Sequence, residues 1–325
     1  MDTPFVSICT VAYQHASFIR ECMDGVLMQK TTFPFELIIH DDASTDGTAD
    51  IIREYEARHP DIIKAVYQSE NQFSKGVPIW SKYCISRAQG KYIAMCDGDD
   101  YWTDPFKLQK QVDFLETHPD YAICGGKYRT KIIGQDETLG YIRKGKDRYP
   151  KGKTVNFDNF FDTYLFFTLT ICFRREYINN IYRHKICIDD TVYCEVLAKG
   201  KGYLFPDYFA MYRLHPGGVN ASKTYRQRLQ FSVDFHEQML PDFGNQSRSL
   251  RKRYIRDMID LRFYDLAESK HVFKDYLKIV QFAFSGKLEF FPYSMFHLLE
   301  KTGRYTSSRI KKMICFDKNR KKQKQ

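Results

Sequence analysis

The run Gly90-Lys91-Tyr92-Ile93-Ala94-Met95-Cys96-Asp97-Gly98-Asp99-Asp100 decides how this chain is read. Tyr92 to Cys96 is a short apolar stretch of the kind that forms a fully buried strand. It runs directly into three acids and one glycine. In a turning segment, carboxylates one residue apart aim into a common site, and Gly98 allows close backbone approach between them. Clustered carboxylates repel one another and lose hydration, so a cation is their natural partner. Hard oxygen ligands favour magnesium or manganese. The plainer alternative is a solvated acidic turn capping the helix that opens at Pro105, with Asp100 as the cap. An EF-hand is excluded, because the twelfth position counted from Asp97 is Leu108 rather than Glu.

Outward from this run, strand and helix patterns alternate. Phe5 to Val11 is a β-rich run, and from Ser17 a helical stripe follows (Phe18, Ile19, Cys22, Met23, Val26, Leu27). Phe35 to His40 is a second strand. Ser44-Thr45-Asp46-Gly47 supplies a turn and cap before a helix bearing Ile51, Ile52 and Tyr55. Ile62 to Tyr67 is a third strand, and Ile79 to Ala88 reads as a helix stopped by Gly90. Residues 126–163 are polar and Lys/Gly-rich, an excursion. Leu165 to Phe173 and Tyr208 to Leu214 read as strands, with Asp189-Asp190 before a short helix between them. This alternation predicts an α/β fold with a mostly parallel sheet flanked by helices. From Tyr225 the pattern turns helical and basic-aromatic. The expected organisation is one domain over 1–222, a helical extension over 223–303 and a basic, disordered tail over 304–325.

Parallel sheets hold ligands at the C-terminal strand ends. Two acidic clusters fall there: Asp41-Asp42 after the second strand and Asp97 to Asp100 after the fourth. A turn and cap need only Ser44 or Thr45 and Gly47, so Asp42 is surplus, a carboxylate placed to accept the imide N–H of a pyrimidine. Gly140 to Lys146 fits GxxxxGK, but Asp147 replaces Ser/Thr and no strand leads in, so it is set aside as a phosphate loop. Of nine histidines, His215 stands out because it follows a strand and precedes Gly217-Gly218.

The charge is uneven. Residues 301–325 hold ten of the 50 Lys and Arg and one of the 40 acids, so this end carries +9 and the other 300 residues +1. Such a tail suits an anionic membrane surface; nucleic acid is not the expected partner. Nine cysteines in an odd number, without CxxC spacing and several within apolar runs, read as reduced thiols of a cytoplasmic protein. The start, Met1-Asp2-Thr3-Pro4, lacks the basic and apolar regions of a signal peptide. No uncharged run reaches the length of a membrane span, Phe282 to Leu299 being interrupted by Lys287 and Glu289.

Taken in order, Val6-Ser7-Ile8 leading to Tyr13, Asp41-Asp42-Ala43-Ser44-Thr45-Asp46-Gly47-Thr48, and Gly90 to Ala94 running into Asp97-Gly98-Asp99-Asp100 resemble the family 2 glycosyltransferases of GT-A fold, over roughly residues 4–220. The resemblance implies an inverting, metal-dependent enzyme of polysaccharide synthesis. It implies that Thr10 and Tyr13 contact the nucleobase, that Asp42 binds the uracil edge, and that Asp97, with Gly98, faces the ribose. Asp99 would ligate Mn2+ or Mg2+, and His215 in Tyr212-Arg213-Leu214-His215 would reach the metal or diphosphate. Asp189-Asp190 matches the family's Glu-Asp pair, whose second acid, here Asp190, is the catalytic base. Asp189 for Glu, Thr191 for the following aromatic and Gln14 for Asn after Tyr13 depart from the pattern. The implied partners are a nucleotide-sugar donor, favoured as UDP through Asp42, and a glycan or polyprenyl-linked acceptor at the inner face of the cytoplasmic membrane.

Two rival functions stay open on sequence. A sugar nucleotidyltransferase shares the layout and metal but needs a Gly-rich, basic loop after the first strand, where this chain has Ala12-Tyr13-Gln14-His15-Ala16. A non-catalytic carbohydrate- or membrane-binding protein on a transferase scaffold is the other. The sugar, the acceptor and the linkage are not readable from the residues.

Overall fold

The computed structural model describes residues 3–133, 149–163, 165–178, 181–186, 188–218, 223–268, 272–285 and 293–302. The Gly140 to Lys146 segment, set aside as a phosphate loop, and the basic tail 304–325 lie outside them. The chain divides into two compact units, Met1–Ala221 and Ser222–Gln325.

In the first unit the elements run β1 (Val6–Ala12), α1 (Ile19–Leu27), β2 (Phe35–Asp41), α2 (Thr48–Arg58), β3 (Ile63–Tyr67), β4 (Tyr92–Met95), β5 (Tyr101–Trp102), α3 (Lys107–Thr117), β6 (Tyr121–Ile132), β7 (Lys153–Val155), α4 (Phe157–Thr163), β8 (Cys172–Arg174), α5 (Asp189–Leu197) and β9 (Lys201–Leu214). One sheet joins all nine described strands in the order β3-β2-β1-β4-β8-β6-β9-β5, with β7 also on β9. The sheet is mixed. β1, β2, β3 and β4 pair in parallel, as do β6 and β9; β8 runs antiparallel to β4 and β6, and β5 and β7 antiparallel to β9. The alternating first hundred residues built the parallel half that their pattern predicts; the later strands β6, β8 and β9 follow α3, α4 and α5 but pair in both directions.

Its core is the apolar face of the parallel half packed under α1, α2 and α3: Val6, Ile8, Ile19, Met23, Leu37, Ile39, Ile52, Leu108 and Leu115 are buried together. Seven described cysteines (9, 22, 84, 96, 124, 172 and 194) are buried free thiols. Gly90 ends the segment before β4 because a side chain there would strike the β1 backbone at Ser7, 2.5 Å away. Ser7 also takes the Gln89 and Gly90 N–H groups on its hydroxyl, which donates to Glu36.

Local readings shift in four places. Ile79 to Ala88 is a π turn (Trp80–Cys84) followed by a 3-10 turn (Ile85–Arg87), not an α-helix. Leu165 to Phe173 is mostly irregular, with a 3-10 turn at Thr168–Thr170 before β8. Part of the 126–163 excursion is regular, as β6, β7 and α4. The N-cap of α2 is Gly47, left-handed at φ 99°, and neither Ser44 nor Thr45 caps it; the Thr48 N–H goes to the Asp46 carboxylate at 3.0 Å.

The second unit holds α6 (Tyr225–Phe243), α7 (Arg248–Glu268), α8 (Val272–Ser285) and helical residues 293–302. No described helix is long and apolar enough to cross a membrane.

Candidate functional site

The parallel strands β1, β2 and β4 end on one edge of the sheet, and three loops meet there. The loop after β1 is clamped to the loop after β2. Gln14, in a left-handed conformation (φ 58°), donates its N–H to Ser44 Oγ at 2.9 Å. The His15 N–H goes to Thr48 Oγ1 (2.8 Å) and the Ala16 N–H to Asp46 Oδ2 (2.9 Å). These bonds satisfy backbone groups that the turn would otherwise strand.

Asp97-Gly98-Asp99-Asp100 follows β4 into this edge. Gly98 sits so close to the β1 loop that a Cβ would meet His15 Nδ1 at 2.9 Å and Val11 O at 3.0 Å. Its own N–H donates to Val11 O. The three acids separate in role. Asp99 Oδ2 lies 3.1 Å from His215 Nε2 and 3.8 Å from His15 Nε2. Asp97 is half-buried, and enclosure by protein, then Asp99 and Asp189, push its carboxyl well above the usual carboxylate range. Asp100 is buried and accepts the Arg213 N–H at 2.8 Å. It therefore ties β9 to the turn and does not cap the following helix; Asp104, accepting the Phe106 N–H, stands at that helix start.

Arg213 is the residue that the sequence reading passed over. Its buried guanidinium donates to Asp99 O at 2.7 Å and to Glu21 on α1. It lies over the Tyr101 ring at 4.3 Å and near Phe18 at 5.3 Å. Burial pushes its pKa down to about 10, so it stays a cation at neutral pH. The signal was present in Tyr212-Arg213-Leu214-His215, since a lone arginine inside an otherwise apolar strand needs a buried partner.

The residues expected on the nucleotide side lie at the same edge. Thr10 is buried with no hydrogen-bond partner for its hydroxyl, and Tyr13 is 45% exposed. Asp42 is 1% exposed, and its two oxygens accept the Gln72 and Phe73 N–H groups at 2.8 and 2.9 Å. A carboxylate has lone pairs beyond those two. Beside it, Asp41 Oδ1 is buried without a partner, and burial raises its pKa. His40 stacks on Tyr83 at 4.7 Å, and burial pushes its pKa down to about 4, so it is neutral at pH 7.

Asp189 and Asp190 open α5. Asp189 accepts the Thr168 hydroxyl at 2.8 Å and the Asp190 N–H at 3.1 Å, and burial raises its pKa. It lies within electrostatic reach of Asp97, while Asp190 acts on Tyr193 together with Asp97. Asp190 itself is half-buried at the first turn of the helix.

Among the described residues no three His, Cys, Asp or Glu side chains form a ready-made metal cage. Asp99 and His215 instead make a two-residue start beside further acids, and His15 Nδ1 is a buried ring nitrogen without a partner. That set fits a hard divalent ion whose remaining ligands are phosphate oxygens and water, as magnesium sites with one or two protein ligands usually are.

A family model described as Glycosyl transferase family 2 matches residues 7–181. An uncharacterized protein of Mycobacterium tuberculosis, Rv1520, is 34% identical over 229 residues; the match spans 70% of this chain and 63% of that relative's length. WfaP of Escherichia coli, a UDP-Glc:alpha-D-GlcNAc-diphosphoundecaprenol beta-1,3-glucosyltransferase, is 28% identical over 67% of this chain and 80% of its own. The solved structure of the mannosyltransferase PcManGT from Pyrobaculum calidifontis, in complex with GDP-Man and Mn2+, superimposes with a TM-score of 0.56 at 18% identity, over 94% of this chain and 88% of that one. The mixed sheet and flanking helices are those of the α/β GT-A fold.

Proposed function

The chain belongs to the family 2 glycosyltransferases, and from that premise we propose that it moves a sugar from a UDP-sugar to a hydroxyl of a glycan or polyprenyl-linked saccharide, inverting the anomeric centre. The observation that carries the reading is the Asp99–His215 pair, 3.1 Å apart at the C-terminal edge of the parallel strands, with Asp97 and Asp189 beside it. WfaP uses a UDP donor and a diphosphoundecaprenol acceptor, and PcManGT binds a nucleotide sugar with Mn2+, which supports the same classes here.

Asp99 and His215 would hold Mn2+ or Mg2+; when bound, the ion supplies positive charge against the departing diphosphate. Asp97 lies on the ribose side. Thr10 and Tyr13 border the base, and Asp42 accepts the imide N–H on a lone pair that its backbone contacts leave. Asp190 accepts the proton of the acceptor hydroxyl while that oxygen bonds to the anomeric carbon and the bond to the diphosphate breaks. The domain runs to about residue 222, and the basic tail holds the protein on an anionic inner-membrane surface.

The base assignment has a direct test. Asp190→Asn removes the proton acceptor but keeps size and hydrogen bonding. Transfer should fall by about 100-fold or more, while calorimetric affinity for UDP with manganese stays unchanged. Unchanged turnover in a folded Asp190→Asn protein rejects the assignment.

A further inference from the structure

The second unit carries a polar cavity lined by residues to which the proposed transfer assigns no role. α6 and α7 run antiparallel: Arg226 pairs with Asp265 and Ser232 with Asp257, so partner numbers fall as the α6 number rises. Leu229, Val233 and Leu261 close the apolar seam between them. Beside that seam lies a cavity of about 400 Å³. From α6 it is lined at positions 225, 228, 229 and 232, and from α7 at 253, 256, 257 and 260. Both sets follow the i, i+3, i+4, i+7 spacing of a single helix face, so two stripes confront each other across the space.

Charge on those stripes is unequal. Arg228, Arg253 and Arg256 face two acids, Asp257 and Asp260. Both acids are already held. Asp257 accepts from Ser232 Oγ at 2.7 Å and Arg253 Nε at 2.9 Å. Asp260 lies 2.8 Å from His297 Nε2 and 2.9 Å from Lys301 Nζ. The lining itself holds three guanidinium groups against two carboxylates. His236, near Asp257, does not add charge, because burial pushes its pKa down to about 4. Asp257 holds Arg253 and lies 3.6 Å from Arg256 Nε, while Arg228 donates to Lys223 O at 2.9 Å. Arg253 and Arg256 are only part-exposed, with about a third of each side chain open to solvent. A guanidinium fork matches two oxygens of one anion, and several converging arginines match an anion with many oxygens. A carboxylate would leave most of these donors without a partner.

We propose that this cavity binds a phosphate or diphosphate group, carried either on a lipid headgroup or by a free soluble anion. The site is built from residues of the second unit alone, and the proposal does not depend on the transfer reading.

The test uses the full chain in EDTA, titrated with inorganic pyrophosphate in a calorimeter. Wild type should bind, more weakly as salt rises. Arg253→Gln/Arg256→Gln and the exposed single variant Arg228→Gln should each bind at least about tenfold more weakly, with UDP–manganese affinity unchanged. Arg228→Gln alters only an exposed side chain, so it remains informative if the double variant does not fold. Flotation with phosphatidylcholine vesicles doped with an isoprenyl diphosphate, against undoped vesicles, separates the sources: capture that the variants lose identifies the headgroup, and pyrophosphate binding without capture identifies the free anion. Pyrophosphate affinity that is absent, or equal in wild type and variants, overturns the proposal. Loss of UDP–manganese binding in the wild type would instead count against the transfer reading and leave this one standing.

Discussion

Lys107 is fully buried, with its ammonium 2.8 Å from Gln111 Oε1 and 3.9 Å from the centre of the Trp102 ring. Burial pushes its pKa down from 10.5 to about 8. The unfolded chain therefore holds a proton that the folded chain releases between those two values. Stability from this group is fully present above pH 10.5 and is lost as pH falls towards 8; below that the cost of the buried charge is constant, at about 3 kcal/mol as an upper bound. Lys107→Met should raise stability at pH 7 by about 1–3 kcal/mol, the lost contact to Gln111 offsetting part of the gain. The difference between variant and wild type in urea unfolding should shrink from pH 8 to pH 10. A constant difference across that range contradicts the shifted pKa. Nothing in the sequence flagged this lysine. It sits in Phe106-Lys107-Leu108, where a helix pattern reads a charge as solvent-facing, and only the Trp102 ring and the Ile171 carbonyl against it show otherwise. Gly98 is the opposite case: a glycine between acids at a strand end announces a close approach, and a Cβ there would come within 2.9 Å of His15 Nδ1.

At the scale of elements, the end of β9 acts as a brace for the acidic turn. Arg213 and Asp100 exchange no charge through side chains alone; a backbone N–H meets one carboxylate while the guanidinium takes Asp99 O and Glu21. Cutting it leaves Glu21 and the Asp99 carbonyl without their donor. Arg213→Ala should cost about 1–3 kcal/mol in chemical unfolding, since the Asp99 carbonyl loses its donor while half-exposed Glu21 keeps its hydration, and raise the donor KM by about tenfold or more. Arg213→Lys should recover charge but not the fork, giving an intermediate KM. A donor KM unchanged in Arg213→Ala would show that the brace does not position the turn. The parallel half of the sheet was legible because each strand is a short apolar run before a helical stripe. Asp100's role was not, because its partner lies 113 residues away in the chain. Asp42 is similar: its turn signal is local, but the two N–H groups it holds, from Gln72 and Phe73, come from an irregular stretch with no pattern to read.

For the whole molecule, charge is concentrated at one end: +9 in residues 301–325 against +1 elsewhere. The second unit also leaves Phe273 77%, Phe296 70% and Leu299 64% exposed. Basic residues near an anionic surface are each worth about 1 kcal/mol, and such attraction weakens with salt. Deleting residues 304–325 should move the protein from vesicles containing phosphatidylserine to the supernatant in sedimentation, with nucleotide binding unaffected; equal sedimentation of both forms counts against tail-driven binding. The family and its order of motifs were readable along the chain because strand ends and acids recur at fixed places. The cavity between α6 and α7 was not, since its two stripes become neighbours only through an antiparallel pairing that helical periodicity alone does not specify. Transfer from a nucleotide sugar with a metal held at Asp99 is decided by nucleoside diphosphate release across a panel of UDP- and GDP-sugars with manganese and a lipid-linked acceptor. UDP should be released from one or more UDP-sugars, with release abolished by EDTA and reduced to background in Asp99→Asn; release of pyrophosphate instead, or full UDP release by a folded Asp99→Asn protein, rules the proposed transfer out.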